Sequence, residues 1–186
     1  MESVNSRTAK IVTTLVTAAW LVGMPAAALA QSASGTPAKA VGGRGYGFVG
    51  LGAVTSGGES MGTWHVGGGG GGEAVIRDAF GIGAEIGYLN WLEEPDESGL
   101  GVFSVNGSYH FNGGEASRRF RPFLTGGYTL GFAADGHENL FNVGGGVDYW
   151  LKPKVGLRVE FRDHVWSGDG EDTLHFWSVR FGVTFR

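Results

Sequence analysis

The chain has 186 residues, with 36 glycines, no cysteine, 42% hydrophobic and only 17% charged residues. Glycine at nearly one residue in five is far above the ordinary ~7%, yet collagen would place it at every third position, and a disordered chain would lack the 6 Trp, 12 Phe and 5 Tyr. The missing cysteines exclude a disulfide scaffold and a thiolate zinc site, and a net charge of -4 argues against a nucleic-acid partner.

Arg7 and Lys10 precede an apolar run from Ile11 to Val22, and Pro25 and Ala28-Leu29-Ala30 follow it. These are the parts of a secretory signal peptide, residues 1–30, cleaved near Ala30 before Gln31. The run is too short to span a bilayer as a helix. Residues 31–42, rich in Ser, Ala, Gly and Pro, read as a flexible lead-in to a single domain over 43–186. No later stretch suits a membrane helix, so any membrane role must come from strands.

From Gly43 onward apolar residues recur at every second position, the signal of strands with two unlike faces. Glycines blur the first two strands, around Tyr46 to Val54 and Thr63 to Ile76. Phe80, Ile82, Ala84, Ile86 and Tyr88 then alternate with Gly81, Gly83, Glu85 and Gly87. Phe103, Val105, Tyr109 and Phe111 mark the fourth strand, and Phe120 to Phe132, interrupted by Pro122, the fifth. Phe141, Val143, Val147, Tyr149 and Leu151 oppose Asn142, Gly144, Gly146 and Asp148 in the sixth. Val155, Leu157, Val159 and Phe161 form one face of the seventh. Trp177, Val179, Phe181, Val183 and Phe185 form one face of the eighth.

Eight strands of this length match tilted strands crossing a bilayer, and the even count fits a closed up-and-down barrel. Connectors after strands one, three, five and seven (55–62, 92–99, 134–139, 167–173) carry ten Asp or Glu and no Lys or Arg. Those after strands two, four and six carry Arg77, Arg118, Arg119, Lys152 and Lys154 against Asp78 and Glu115. One end is acidic and the other basic. Short turns and both termini of such barrels face the periplasm, so the acidic end is expected outside.

Charge placement assigns the faces. Glu73, Glu85, Asp148, Arg158, Glu160, Arg162 and Arg180 all fall mid-strand on the glycine-rich face, which makes that face the interior and the charges an ionic network. The other face is then lipid-facing: Val155, Leu157, Val159, Phe161, Trp177, Val179, Phe181, Val183 and Phe185. A three-residue turn at Lys152-Pro153-Lys154 sets Leu151 opposite Val155 and Asp148 opposite Arg158. A turn at Arg77 to Ala79 sets Glu73 beside Gly83 and Glu85 beside Gly71, so each carboxylate faces a glycine. A last hairpin centred on Gly170 sets Arg180 opposite Glu160. The Gly67 to Gly72 run lacks the Lys-Ser/Thr of a phosphate loop and instead leaves room in a narrow barrel.

Gly81-Ile82-Gly83-Ala84-Glu85-Ile86-Gly87-Tyr88, Arg121-Pro122-Phe123, Gly144 to Trp150 and Val155 to Asp163 resemble the OmpA/OmpX-like outer-membrane β-barrel domains of Gram-negative bacteria. The resemblance covers the barrel, with no peptidoglycan-binding domain expected after it. It implies an eight-stranded antiparallel transmembrane β-barrel, monomeric, in contact with outer-membrane lipid. It also implies an aromatic C-terminal strand read by the outer-membrane assembly machinery, although Arg186 stands after the last aromatic.

The expected role is structural or surface-interacting, with no catalytic residues, cofactor or metal. A deacylase-like enzyme on such a barrel would call for His and Ser two residues apart near the outer rim. Here His164 and Ser167 are three apart and fall on opposite faces of an alternating strand. A soluble periplasmic ligand-binding barrel is the third alternative. His65, His110, His137, His164 and His175 lack ligand spacing, and the loop carboxylates Glu93, Glu94, Asp96, Glu97, Asp169, Glu171 and Asp172 lack the order of a calcium loop.

Overall fold

The computed structural model describes residues 41–57, 59–77, 79–92, 99–111, 119–133, 136–167 and 173–186. The residues read as signal peptide and lead-in, up to residue 40, together with Asp78, Glu115, Arg118 and the seven loop carboxylates named above, lie outside the described residues. Eight strands follow in order: β1 Val41–Ser56, β2 Glu59–Ile76, β3 Phe80–Trp91, β4 Leu100–His110, β5 Phe120–Ala133, β6 Gly136–Lys152, β7 Val155–Trp166 and β8 Leu174–Phe185. Each pairs antiparallel with its sequence neighbour, and β1 pairs with β8, so the sheet closes on itself with no free edge.

Following register partners once around the barrel from Arg44, through Glu73, Gly83, Asn106, Gly127, Asn142, His164 and Phe176, returns to Val54, ten residues further along β1. That stagger tilts the strands, and eight tilted strands enclose a space just wide enough for side chains. The hairpins place the charges as their turns require: Asp148 pairs with Arg158, Glu160 with Arg180, Glu73 with Gly83 and Gly71 with Glu85.

Several boundaries differ from the sequence reading, and of the residues read as the first connector, 55–56 end β1 and 59–62 begin β2, with Thr55 paired to Ser60. β1 begins at Val41, because Val41 and Gly42 already pair with Ile76 and Val75, so the lead-in ends two residues sooner. Residues 136–139, read as connector, extend β6 and pair with β5 from Ala133 to Leu130. Ladder pairing there overrides a polar sequence. In the last turn-side hairpin Lys152, not Leu151, pairs with Val155, and the register shifts between Trp150 and Lys152. Leu151 is the extra residue of this bulge, which leaves only Pro153-Lys154 to turn the chain. At the β2–β3 turn, Arg77 adopts φ 53°, a left-handed conformation uncommon for a side-chain-bearing residue.

Candidate functional site in the barrel interior

Alternation sends one residue in two into the lumen, and the lumen receives most of the charge carried by the strands. Glu73, Glu85, Asp148, Arg158, Glu160, Arg162 and Arg180 are all buried, each 9% exposed or less. Arg44 joins them and makes four carboxylates against four guanidiniums. The sequence reading missed Arg44 because it stands among glycines at the start of β1, where no apolar alternation marks the strand. Its pairing with Glu73 across β1–β2 was the available signal.

The eight charges form one connected set. Toward the turn end, Arg44 Nη1 lies 3.6 Å from Glu73 Oε1 and 3.8 Å from Asp148 Oδ2. Arg158 Nη1 lies 3.6 Å from Asp148 Oδ1, while its Nε donates to Glu160 Oε2 at 2.9 Å. Glu160 also pairs closely with Arg162, and Arg180 Nη1 donates to Glu85 Oε1 at 2.7 Å. The nearest partner is therefore not always the one opposite in register. Arg180 is 3.9 Å from Glu160 on the adjacent strand yet 2.7 Å from Glu85 across the lumen.

Aromatic and neutral polar groups complete the filling. The Arg158 guanidinium lies between the rings of Tyr46 and Phe123, at 4.3 and 3.9 Å from their centroids, and Arg180 lies 4.4 Å over Phe48. Tyr46 donates to Glu85 at 3.0 Å. Arg162 donates to Asn142, whose amide donates to Asn106 and Thr129 at 2.8 and 2.9 Å. Toward the loop end the lining turns apolar, with Val54, Leu89, Val102 and Leu140 buried. A cavity beside Phe48, His65 and Arg180 holds about 10 Å³, space for one water.

One cluster has the residue types of a nucleophilic triad. Ser108 Oγ donates to Glu73 Oε2 at 2.7 Å, and His110 Nε2 lies 3.0 Å from Glu73 Oε1 and 3.3 Å from Ser108 Oγ. Arg44 Nη1 lies 2.9 Å from His110 Nδ1, and a guanidinium only donates, so Nδ1 is the acceptor. Nε2 then carries the hydrogen and donates to Glu73. No ring nitrogen is left to take a proton from Ser108, so the cluster is structural.

His164 and Ser167 are not brought together: His164 is 1% exposed inside the barrel, whereas Ser167 is exposed beyond the end of β7. His65 and His110 are also buried in the lumen, on other strands, and His137 and His175 lie on the opposite face. Among the described residues no three potential ligands gather as a metal site.

The outward face is apolar. Leu157, Val159, Phe161, Phe181, Val183 and Phe185 are exposed, and Val155, Trp177 and Val179 are half-buried on the same side. Aromatics concentrate toward both strand ends, with Phe80, Tyr109, Phe120, Tyr149 and Phe185 near the turns and Trp64, Tyr88, Tyr128, Phe132 and Phe141 toward the loops. Such paired girdles flank the apolar band of barrels that cross a membrane.

Comparison with known proteins agrees with this geometry. The family model described as the outer membrane protein beta-barrel domain matches residues 16–185. No curated protein matches the sequence at a significant level. Among solved structures, Neisserial surface protein A aligns at TM-score 0.57 with 15% identity, over 77% of this chain and 96% of that one. The outer membrane enzyme PagL aligns at 0.56 with 16% identity, over 74% and 97%. The N-terminal β-barrel domain of Pseudomonas aeruginosa OprF aligns at 0.52 with 14% identity, over 76% and 96%. At these identities the likeness is one of fold alone.

Proposed function

The chain belongs to the outer membrane protein β-barrel domain family, and from that premise we propose a monomeric barrel with a closed lumen that spans the outer membrane of a Gram-negative-type bacterium in a structural or surface-interaction role. The observation that carries this reading is the lumen itself, where four buried carboxylates meet four buried guanidiniums. A conducting channel of this strand number would need that space for water. The exposed apolar belt supports contact with outer-membrane lipid, and the Trp177 to Phe185 alternation supports recognition of β8 by the assembly machinery.

Export after cleavage near Ala30 is part of the same proposal, as is an outward-facing acidic end. The test combines two measurements on the full chain folded in lipid. Unboiled samples are expected to migrate as a compact species that shifts on boiling, and planar bilayers are expected to show little conductance. Large, stable current steps from the unmodified protein would overturn the closed-lumen reading, and identical mobility before and after boiling would overturn the barrel in lipid.

A further inference from the structure

Charge outside the lumen is sorted between the two ends of the barrel. At the turn end Arg77, Arg119, Lys152, Lys154 and Arg186 are exposed, and Arg121 is half-buried. The strand carboxylates that do not belong to the ionic set, Glu59, Glu138 and Asp163, all stand at the loop end. Asp163 is held there on the outward face by His175, whose Nδ1 lies 2.7 Å from its Oδ2. Among the described residues, which exclude Asp78 and Glu115, the turn end therefore has no side-chain carboxylate besides those of the ionic set.

Four of these cations stand side by side. Phe120 pairs with Tyr149, and Trp150 N donates to Arg119 O at 2.7 Å, which sets Arg119 beside the end of β6. Lys152 and Lys154 flank Pro153 where β6 turns into β7. Arg186 N donates to Lys154 O at 3.2 Å, its Nε donates to Pro153 O at 2.8 Å, and its guanidinium lies 4.1 Å over the Trp150 ring. Arg119, Lys152, Lys154 and Arg186 thus gather over the ends of the consecutive strands β5 to β8. Next to them the outward face presents Phe120, Tyr149, Leu157 and Phe185, all exposed. Arg77 stands half a circumference away, because the β2–β3 and β6–β7 hairpins are opposite each other in a closed sheet of eight strands.

We propose that Arg119, Lys152, Lys154 and Arg186 form a docking surface for the headgroups of anionic phospholipids. The aromatic girdle fixes the depth. Such rings lie at the headgroup level of a bilayer, so cations placed just beyond Phe120, Tyr149 and Phe185 meet the phosphodiester plane. A guanidinium takes two phosphate oxygens through paired N–H donors, and an ammonium acts beside it as a point charge. The acyl chains of the same lipid lie along Phe120, Tyr149 and Leu157. A zwitterionic lipid carries the same phosphate together with its own ammonium, so four clustered cations select the headgroup of net negative charge. The connectors at the other end, with ten Asp or Glu and no Lys or Arg, repel that headgroup. The sorting of charge therefore favours anionic lipid in the leaflet at the turn end.

The docking surface rests on the proposed span of a lipid bilayer, and the test separates the two. The full chain, folded in detergent micelles, is titrated with phosphatidylglycerol or with phosphatidylcholine of the same acyl chains, and bound lipid is counted by native mass spectrometry. Phosphatidylglycerol is expected to bind at least about tenfold more tightly. That preference should fall about fivefold in Lys152→Gln and in Lys154→Gln, and further in the double variant, while Arg77→Gln stays within about twofold of the parent. Glycerol phosphate at the same concentration, which has the phosphate without the chains, should not displace the bound lipid. Each variant must retain the compact unboiled gel species, which separates lost binding from lost fold. A folded parent that binds both lipids equally, or an Arg77→Gln as damaging as Lys152→Gln, overturns the surface and leaves the barrel reading intact. Displacement by glycerol phosphate overturns the lipid as its occupant. A parent whose mobility does not change on boiling overturns the barrel in lipid, and this surface with it.

Discussion

The inward and outward faces of the same eight strands solve opposite problems. Outside, Val159 or Phe181 needs no particular partner, because any apolar surroundings satisfy it. Inside, every charged group needs a specific one, since desolvated charge is stable only when paired. Two glycines, one on each face, show the difference. A Cβ on inward Gly146 would come within 2.8 Å of Glu160 Cα and 2.9 Å of Phe123 Cζ, while one on outward Gly47 would meet only a carbonyl at 3.8 Å. At these two positions the inward glycine is required by crowding and the outward one is not. The lumen is thus a matched set, and the belt is an interchangeable surface.

The strongest way to break that contrast is to remove one member of the set. Glu160 touches Arg158, Arg162 and Arg180, so Glu160→Gln leaves three buried guanidiniums short of charge. A loss of about 3 to 5 kcal/mol is expected in urea unfolding from lipid vesicles, together with raised conductance in planar bilayers. Val159→Ala, one residue away on the other face, should leave conductance unchanged. If both variants conduct as the parent does, the ionic set is not what closes the lumen.

Adding a charge outside is the converse experiment. Val159→Arg, Val179→Arg or Val183→Arg should cost about 2 to 4 kcal/mol if the residue lies near the bilayer midplane. The penalty should be largest in vesicles and much reduced in detergent, where the guanidinium reaches water. Equal stability of Val159→Arg and the parent in vesicles would contradict the face assignment.

A sharper and smaller test uses glycine alone. Gly146→Ala should destabilise by about 1 to 3 kcal/mol through overpacking, while Gly47→Ala should stay within about 0.5 kcal/mol. The two substitutions add the same methyl group to opposite faces of one closed sheet. Similar effects from both would mean that the inner backbone yields more readily than its crowding suggests.

How much of this was legible in the sequence follows the range of each interaction. Strand existence and face came from period-two alternation, and the pairs Asp148–Arg158 and Glu160–Arg180 came from turn length, both local properties. The 2.7 Å contact of Arg180 with Glu85 joins residues 95 apart across the lumen, and it depends on closure and stagger that no hairpin encodes. Arg44 escaped notice among glycines, and Asp163 because the apolar pattern of its strand ends at Phe161. Leu151 shows the limit of turn counting: a bulge moves the pairing by one residue beyond Trp150 while leaving Asp148 and Arg158 in register.

The smallest effect is expected where neither face rules. Arg77 is exposed in the β2–β3 turn, between the paired residues Ile76 and Phe80, and its φ of 53° places Cβ against the following carbonyl. For an L-residue that conformation costs roughly 1 to 2 kcal/mol, less for asparagine, whose short polar side chain hydrogen-bonds locally. Arg77→Asn should therefore raise stability by about 0.5 to 1 kcal/mol, read from the urea midpoint in vesicles, without altering conductance. Arg77→Gly relieves the same contact but leaves more backbone freedom to lose on folding, so its gain should be smaller. Destabilisation by both would show that the Arg77 side chain, rather than the turn backbone, holds this hairpin.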